Sequence, residues 1–259
     1  YGTYAENLRC QMSCVERHAF KAVFFDLDGT LLRGRPGHEN FRYSWELVWA
    51  HLGFNDAERK YYYNEFLHNR ITYQRWCDIT RDLFRERRLH ERHFNEIVKT
   101  VRLTKNCRPA MQIMKQRGLK LILVSGGIDS FLRAAFPDHQ EFFDHVFINK
   151  FHYDSDGIID AIETTKYDFQ GKFDAIEYVR RKYGIEYAEC AFVGEGRNDV
   201  FAATELNRQG GLTIGYPPDQ LRDIATHDVL HDRLDLLLDV IFGNVPINRR
   251  LPIASPSEA

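Results

Sequence analysis

The chain has 259 residues, 44% of them hydrophobic and 28% charged, with a net charge of -2. This is the make-up of a soluble globular protein, either one large domain or a core with an inserted module. The near-balanced charge gives no reason to expect a nucleic-acid partner, and no apolar run approaches a membrane span.

Tyr1 to His18 is polar and mixed, without the apolar core of a signal peptide. Residues 1–19 and 246–259 read as flexible termini. The first regular element is Ala22-Val23-Phe24-Phe25, an apolar run that reads as a buried parallel strand and stops at Asp26-Leu27-Asp28-Gly29-Thr30. From 39 to 103 no strand is expected. Phe41, Trp45, Val48, Trp49 and Leu52 recur at helical spacing, as do Trp76, Ile79, Leu83 and Phe84, then Phe94, Ile97, Val98 and Val101. Asn55-Asp56 offers a cap for a helix through Phe66. This predicts an inserted bundle of about four helices, with Trp45, Trp49 and Trp76 in its core.

Beyond the bundle, strand and helix alternate. The pattern predicts helix 107–118, strand 120–124, helix 128–136, strand 144–149, a hairpin through 164 and helix 172–183. It continues with strand 190–193, helix 198–206, strand 211–215, helix 219–225, strand 227–230 and helix 233–242. Asp154-Ser155-Asp156-Gly157 reads as the hairpin turn, since it lacks the later ligands of a calcium loop. The fold class is therefore α/β: a doubly wound, mostly parallel sheet with an inserted helical bundle. The core spans 20–32 and 104–245, and the insertion 33–103.

Five cysteines, Cys10, Cys14, Cys77, Cys107 and Cys190, are odd in number and lack CxxC spacing. They argue against a disulfide scaffold or zinc site and favour a reducing, cytoplasmic compartment. The pairs His90/His93 and His227/His231 have no HExxH glutamate and read as ordinary histidines.

Chemistry-bearing residues follow the apolar strands in order. Open α/β sheets place their chemistry at the carboxyl ends of the strands. Asp26 and Asp28 suit a nucleophile beside a general acid/base, with a divalent cation holding the charges together. Asp26 could instead be only a metal ligand. Leu121-Ile122-Leu123-Val124 ends in Ser125-Gly126-Gly127, which suits phosphate oxygens or an ordinary strand-to-helix turn. Lys172 opens an amphipathic segment after Gly171. Ala191-Phe192-Val193 ends in Gly194-Glu195-Gly196-Arg197-Asn198-Asp199.

With these four motifs in this order, residues 20 to 242 resemble the haloacid-dehalogenase-like hydrolase superfamily, in particular the branch similar to phosphoserine phosphatase. The resemblance implies a Rossmann-like core whose helical insertion is a cap over the active site, although an inserted bundle could also serve dimerisation. It implies Asp26 as nucleophile and Asp28 as the group that protonates the leaving alcohol and activates water. An aspartate at position 28 also implies breakdown of the phospho-enzyme, hence a phosphatase or a mutase. Lys172 is implied as the neutralising lysine, ahead of Lys150, Lys166 and Lys182. Ser125, Gly126 and Asn198 are implied to hold phosphate or substrate.

Magnesium is the implied cofactor, on Asp26, the Asp28 carbonyl and Glu195, with Asp199 orienting waters one layer further out. The family usually has aspartate where Glu195 stands. Of the cap arginines Arg33, Arg35, Arg42, Arg70 and Arg75, most read as a solvated face, and Arg70 is the one singled out for substrate. The resemblance implies a cap-side acidic residue near the first motif that grips the substrate amine; the corresponding stretch here, Leu32-Arg33-Gly34-Arg35-Pro36-Gly37, is basic, a departure that argues against phosphoserine and mildly favours a substrate with additional negative charge. The expectation is a magnesium-dependent phosphatase of a small phosphorylated metabolite. A phosphotransferase or mutase with the same intermediate, and a degenerate ligand-binding protein, are the alternatives.

Overall fold

The computed structural model describes residues 20–41 and 43–243. The ranges expected as flexible termini, and Arg42, lie outside the described residues. β1 (Ala22–Phe25) is the middle strand of a seven-stranded sheet. On one side of it lie β4 (Lys120–Ile128), β5 (His145–Tyr153) and β6 (Ile159–Glu163). On the other lie β7 (Cys190–Gly194), β8 (Leu212–Gly215) and β9 (His227–Asp228). Every neighbouring pair is parallel except the β5–β6 hairpin. This is the expected doubly wound α/β class.

Register decides where the chemistry falls. Phe25 stands opposite Leu123 of β4 and Val193 of β7. β1 and β7 therefore end within a residue of each other, while β4, expected to stop at Val124, runs on through a register shift to Ile128, and Asp26, Ser125 and Glu195 come to one edge of the sheet.

Side chains on a strand alternate between faces. Val23 and Phe25 enter one core, while Ala22 and Phe24 enter the other. The second core is closed by α7 (Gly171–Tyr183) and α8 (Val200–Arg208), through Ala175, Ile176, Val179, Ala202, Ala203 and Leu206. The first takes in α5 (Cys107–Gln116), α6 (Asp129–Ala135) and α9 (Leu236–Ile241).

The inserted elements are α1 (Ser44–His51), α2 (Asp56–Leu67), α3 (Tyr73–Glu86) and a single-turn α4 (Phe94–Ile97). Asn55 caps α2 as expected, accepting from Ala57 and Glu58 N–H while Glu58 returns a bond to its backbone. Trp45, Trp49, Trp76 and Phe84 join the first core, so insertion and sheet share one apolar interior.

Several expectations are corrected. Val101–Leu103 is a strand, β3, not the end of a helix; it pairs antiparallel with β2 (Leu32–Gly34), Leu32 opposite Leu103. These strands carry the chain into and out of the insertion, and a pairing across about seventy residues leaves no mark in a local window. The helix expected over 219–225 is a succession of turns. The Gln220 N–H donates to the Glu195 carbonyl and the Asp219 N–H to Pro217, which ties this segment to the end of β7. The strand expected over 227–230 shortens to β9.

Candidate active site

The innermost feature is a fully buried ammonium. Lys172 Nζ, in the first turn of α7, donates to Asp26 Oδ1 at 2.8 Å and to Asp199 Oδ1 at 2.6 Å. Burial alone would lower the Lys172 pKa, but the Asp199 and Asp26 carboxylates outweigh it and hold the group charged. Burial pushes Asp26 well above the usual carboxylate range, partly offset by Lys172. Asp199 uses its second oxygen on the Glu195 and Gly196 N–H groups, at 2.9 and 2.8 Å. It therefore orients the lysine and the loop after β7. The rival lysines are engaged elsewhere: Lys150 on Glu163, Lys182 beside His145, and Lys166 over the Tyr167 ring.

Asp28 is buried as well, and its two oxygens differ. Oδ2 accepts from the Ser44 N–H at 2.8 Å and from its hydroxyl at 2.6 Å. Oδ1 is buried with no hydrogen-bond partner among the described residues. Burial pushes the Asp28 pKa up to about 6, with the Ser44 bonds opposing. Ser44 begins α1, so the inserted helices take a direct part in holding this carboxylate. Nothing in the local sequence marks Ser44 for that part; it is a helix-start serine like many others. Ser44→Ala is expected to lower turnover about tenfold, the worth of one charge-assisted bond. Steady-state kinetics on the purified variant would check this, and an unchanged kcat would show that the backbone bond suffices.

In the stretch of β4 between Val124 and Ile128, where its register with β5 shifts, Ser125 Oγ accepts from the Gly127 N–H at 3.1 Å. The Gly126 carbonyl accepts from Trp45 Nε1 and from Asn149 Nδ2, both at 2.8 Å. A Cβ on Gly126 would lie 2.0 Å from Asp168 Oδ2, so only glycine fits there.

Asp26, Asp28, Ser125, Gly126 and Asn198 all line one cavity of about 120 Å³. Asp168 lines it too, and no sequence signal marked it; its Oδ1 accepts from Asn198 Nδ2 at 2.9 Å and from the Phe169 N–H. The rest of the wall is largely aromatic. Trp45, Trp49 and Trp76 belong to it as well as to the core.

Arg70 does not reach the cavity. It is exposed and held by Glu65 at 2.6 Å, whereas Arg59, Lys60 and Arg197 line the wall. Arg33 and Arg35 are also turned elsewhere. Arg33 lies over the Tyr216 ring and donates to the Tyr216 carbonyl, and Arg35 donates to the Val101 carbonyl. The argument for extra negative charge on the substrate from residues 32–37 therefore loses its basis. Their side chains support the β2–β3 ribbon and the loop after β8.

Glu195 stands outside the cavity lining, against Gly29, where a Cβ would come within 2.3 Å of its Oε1. Burial pushes its pKa up to about 7, with Asp199 adding to the shift. No three His, Cys, Asp or Glu residues converge into a metal cage among the described residues. The His93 ring packs near those of His51 and His90. Nor is any helix among the described residues long and apolar enough to cross a membrane.

A buried lysine bridging the first carboxylate of a DxDGT turn to an acid beyond the third strand defines a hydrolase of the haloacid dehalogenase type. The profile of the haloacid dehalogenase-like hydrolases matches residues 20–207, and the chain belongs to that family. None of the curated proteins compared with it matches significantly. Among solved structures, a phosphoserine phosphatase in apo form is similar with a TM-score of 0.65 at 19% identity, covering 86% of this chain and 99% of that one. A phospho-aspartyl intermediate analogue of phosphoserine phosphatase aligns with a TM-score of 0.62 at 19% identity, over 86% and 99% of the two chains. A HAD family hydrolase from Salmonella enterica subsp. enterica serovar Typhi gives a TM-score of 0.66 at 17% identity, over 87% and 72%. At such identities the likeness is one of fold.

Proposed function

We propose that the protein is a magnesium-dependent phosphatase that hydrolyses a small phosphomonoester through an aspartyl-phosphate on Asp26. The observation that carries this reading is the Lys172 ammonium held on Asp26, beside an Asp28 with one oxygen fixed by Ser44 and the other free. The names of the similar folds, among them a phospho-aspartyl intermediate analogue, agree with it.

In the first half-reaction an Asp26 oxygen bonds to phosphorus and the ester P–O bond breaks. Asp28 gives its proton to the leaving alcohol oxygen. In the second, Asp28 takes a proton from water as the water oxygen attacks phosphorus. The bond to Asp26 breaks, inorganic phosphate leaves, and both carboxyls are restored. Lys172 offsets the repulsion between Asp26 and the phosphate, while Ser125 and the Gly126 turn hold its other oxygens. The inserted helices act as a cap that limits substrate size and excludes bulk water.

The residues present fit magnesium. Asp26 and Asp199 share one lysine, and Asp28 and Glu195 lie within its electrostatic reach, an excess of negative charge that a divalent cation would balance. Magnesium needs no complete protein cage, because it keeps several waters. Asp26, the Asp28 carbonyl and Glu195 would hold it. When bound, it supplies positive charge that polarises the phosphate. The test is phosphate release from a panel of small phosphomonoesters, with magnesium and again after chelation. Release that chelation stops and magnesium restores is expected. Phosphate passed only to an added alcohol or sugar would replace hydrolysis with transfer.

A further inference from the structure

We infer that the aromatic end of the cavity, with Asp168, is a subsite for a quaternary ammonium group, so that the substrate is the phosphate ester of a small methylated amino alcohol. This deepens the phosphatase reading and rests on it. The starting observation is a carboxylate that phosphoryl transfer does not need. Asp168 Oδ2 lies against Gly126, beside the phosphate turn, where another anion is a burden unless a cation answers it. Oδ1 is occupied by Asn198 and the Phe169 N–H, but Oδ2 has no hydrogen-bond partner among the described residues. No lysine or arginine among them forms an ion pair with Asp168; burial pushes its carboxyl above the usual range, and Lys172, acting through space, offsets this only in part. Lys172 serves Asp26 and Asp199, Arg59 pairs with Glu46 and Asp56, and Lys60 pairs with Asp56. Arg197 is exposed at the wall and makes no ion pair with any described residue.

The surroundings choose the kind of cation. Trp45, Trp49, Tyr63, Tyr73, Trp76 and Phe169 line the same cavity. Trp45 and Tyr73 are tied to the Asp168 corner, Trp45 through the Gly126 carbonyl and Tyr73 through Asn149, which bonds that carbonyl too. A primary ammonium needs acceptors for three N–H groups. A wall of rings offers π faces instead, which suit a methylated ammonium. About 120 Å³ leaves room for a short alcohol only.

The test begins with binding, which is independent of turnover. The three tryptophans of the chain, Trp45, Trp49 and Trp76, all line the cavity. Tetramethylammonium chloride titrated into the full chain should quench tryptophan fluorescence saturably, and neutral tert-butanol should not. Asp168→Asn should weaken the apparent affinity about tenfold. Absence of saturable quenching in the parent protein overturns the subsite, whatever the enzyme assay shows.

Turnover is then compared in the parent protein, which no folding defect can confuse. Choline phosphate should exceed its neutral isostere, 3,3-dimethylbutyl phosphate, by at least about tenfold in kcat/KM. Equal rates, or phenyl phosphate fastest of the three, would mean that the rings select shape rather than charge, and the inference falls. Saturable tetramethylammonium binding with no ester hydrolysed leaves the subsite standing and removes the phosphatase reading.

Discussion

Asp26→Asn is expected to release phosphate at least about 10³-fold more slowly than the parent protein, with the fold intact. Asparagine has the shape of aspartate, and its amide oxygen can still accept from Lys172 Nζ, which now stands 2.8 Å from Asp26 Oδ1. What it lacks is a carboxylate able to form the acyl phosphate. Replacing one of several crowded acids by a neutral group should also leave the thermal midpoint unchanged or raise it, since burial and the neighbouring carboxylates both oppose the Asp26 charge. Phosphate assay and thermal melting on one preparation separate the two effects. Appreciable residual turnover in a fully folded variant would remove Asp26 as nucleophile and leave it at most a metal ligand.

Lys172→Met should abolish activity and also destabilise the protein by about 3–5 kcal/mol, a fall of roughly 10 °C in the thermal midpoint. Methionine nearly fills the lysine volume, so the loss would be one of charge rather than of packing. Two carboxylates, Asp26 and Asp199, would then be left at the bottom of the site without their cation. The double variant Lys172→Met with Asp199→Asn tests that cause. It should recover much of the stability, because one uncompensated charge is gone, yet none of the activity, because Asp26 still faces phosphate unaided. Failure to recover stability would mean that Lys172 contributes mainly through packing in α7. Lys172→Arg is not a conservative replacement here, since a planar guanidinium does not fit a fully buried site shaped to an ammonium.

These two expectations concern residues marked by their sequence surroundings, and the reason is local. Asp26 and Asp28 directly follow an apolar run that only a buried strand explains, and Ser125 and Glu195 follow two more. Where strands are parallel and in register, a residue just past a strand end is already near its counterparts. Glu195 shows the limit of that rule. Its place beyond β7 is local information, but its contact with Gly29 and its distance from the cavity wall come from the turn geometry on either side.

The composition of the cavity wall was much less legible. Arg59 and Arg70 lie on or just after the same helix, and Arg70 is the one the sequence offers for substrate. Only the packing of α2 against the site brings Arg59 to the wall and leaves Arg70 on Glu65. The three tryptophans read as core, and they are core; that they also face a cavity depends on a gap between elements, which has no periodicity of its own. Likewise, the basic stretch around Arg33 and Arg35 suggested a more anionic substrate, but Arg33 holds the Tyr216 carbonyl and Arg35 the Val101 carbonyl, partners far away in sequence.

The sequence by itself determined the sheet class, the ends of β1 and β7 and the motifs of the family, because apolar periodicity and turn residues act over short stretches of chain. Tertiary structure alone decided that Ser44 holds Asp28, that Asp168 closes the cavity over Gly126, and that the insertion shares the core of the sheet. Those contacts join residues 16, 42 and more positions apart, and no local preference encodes a pairing that exists only once the elements have packed.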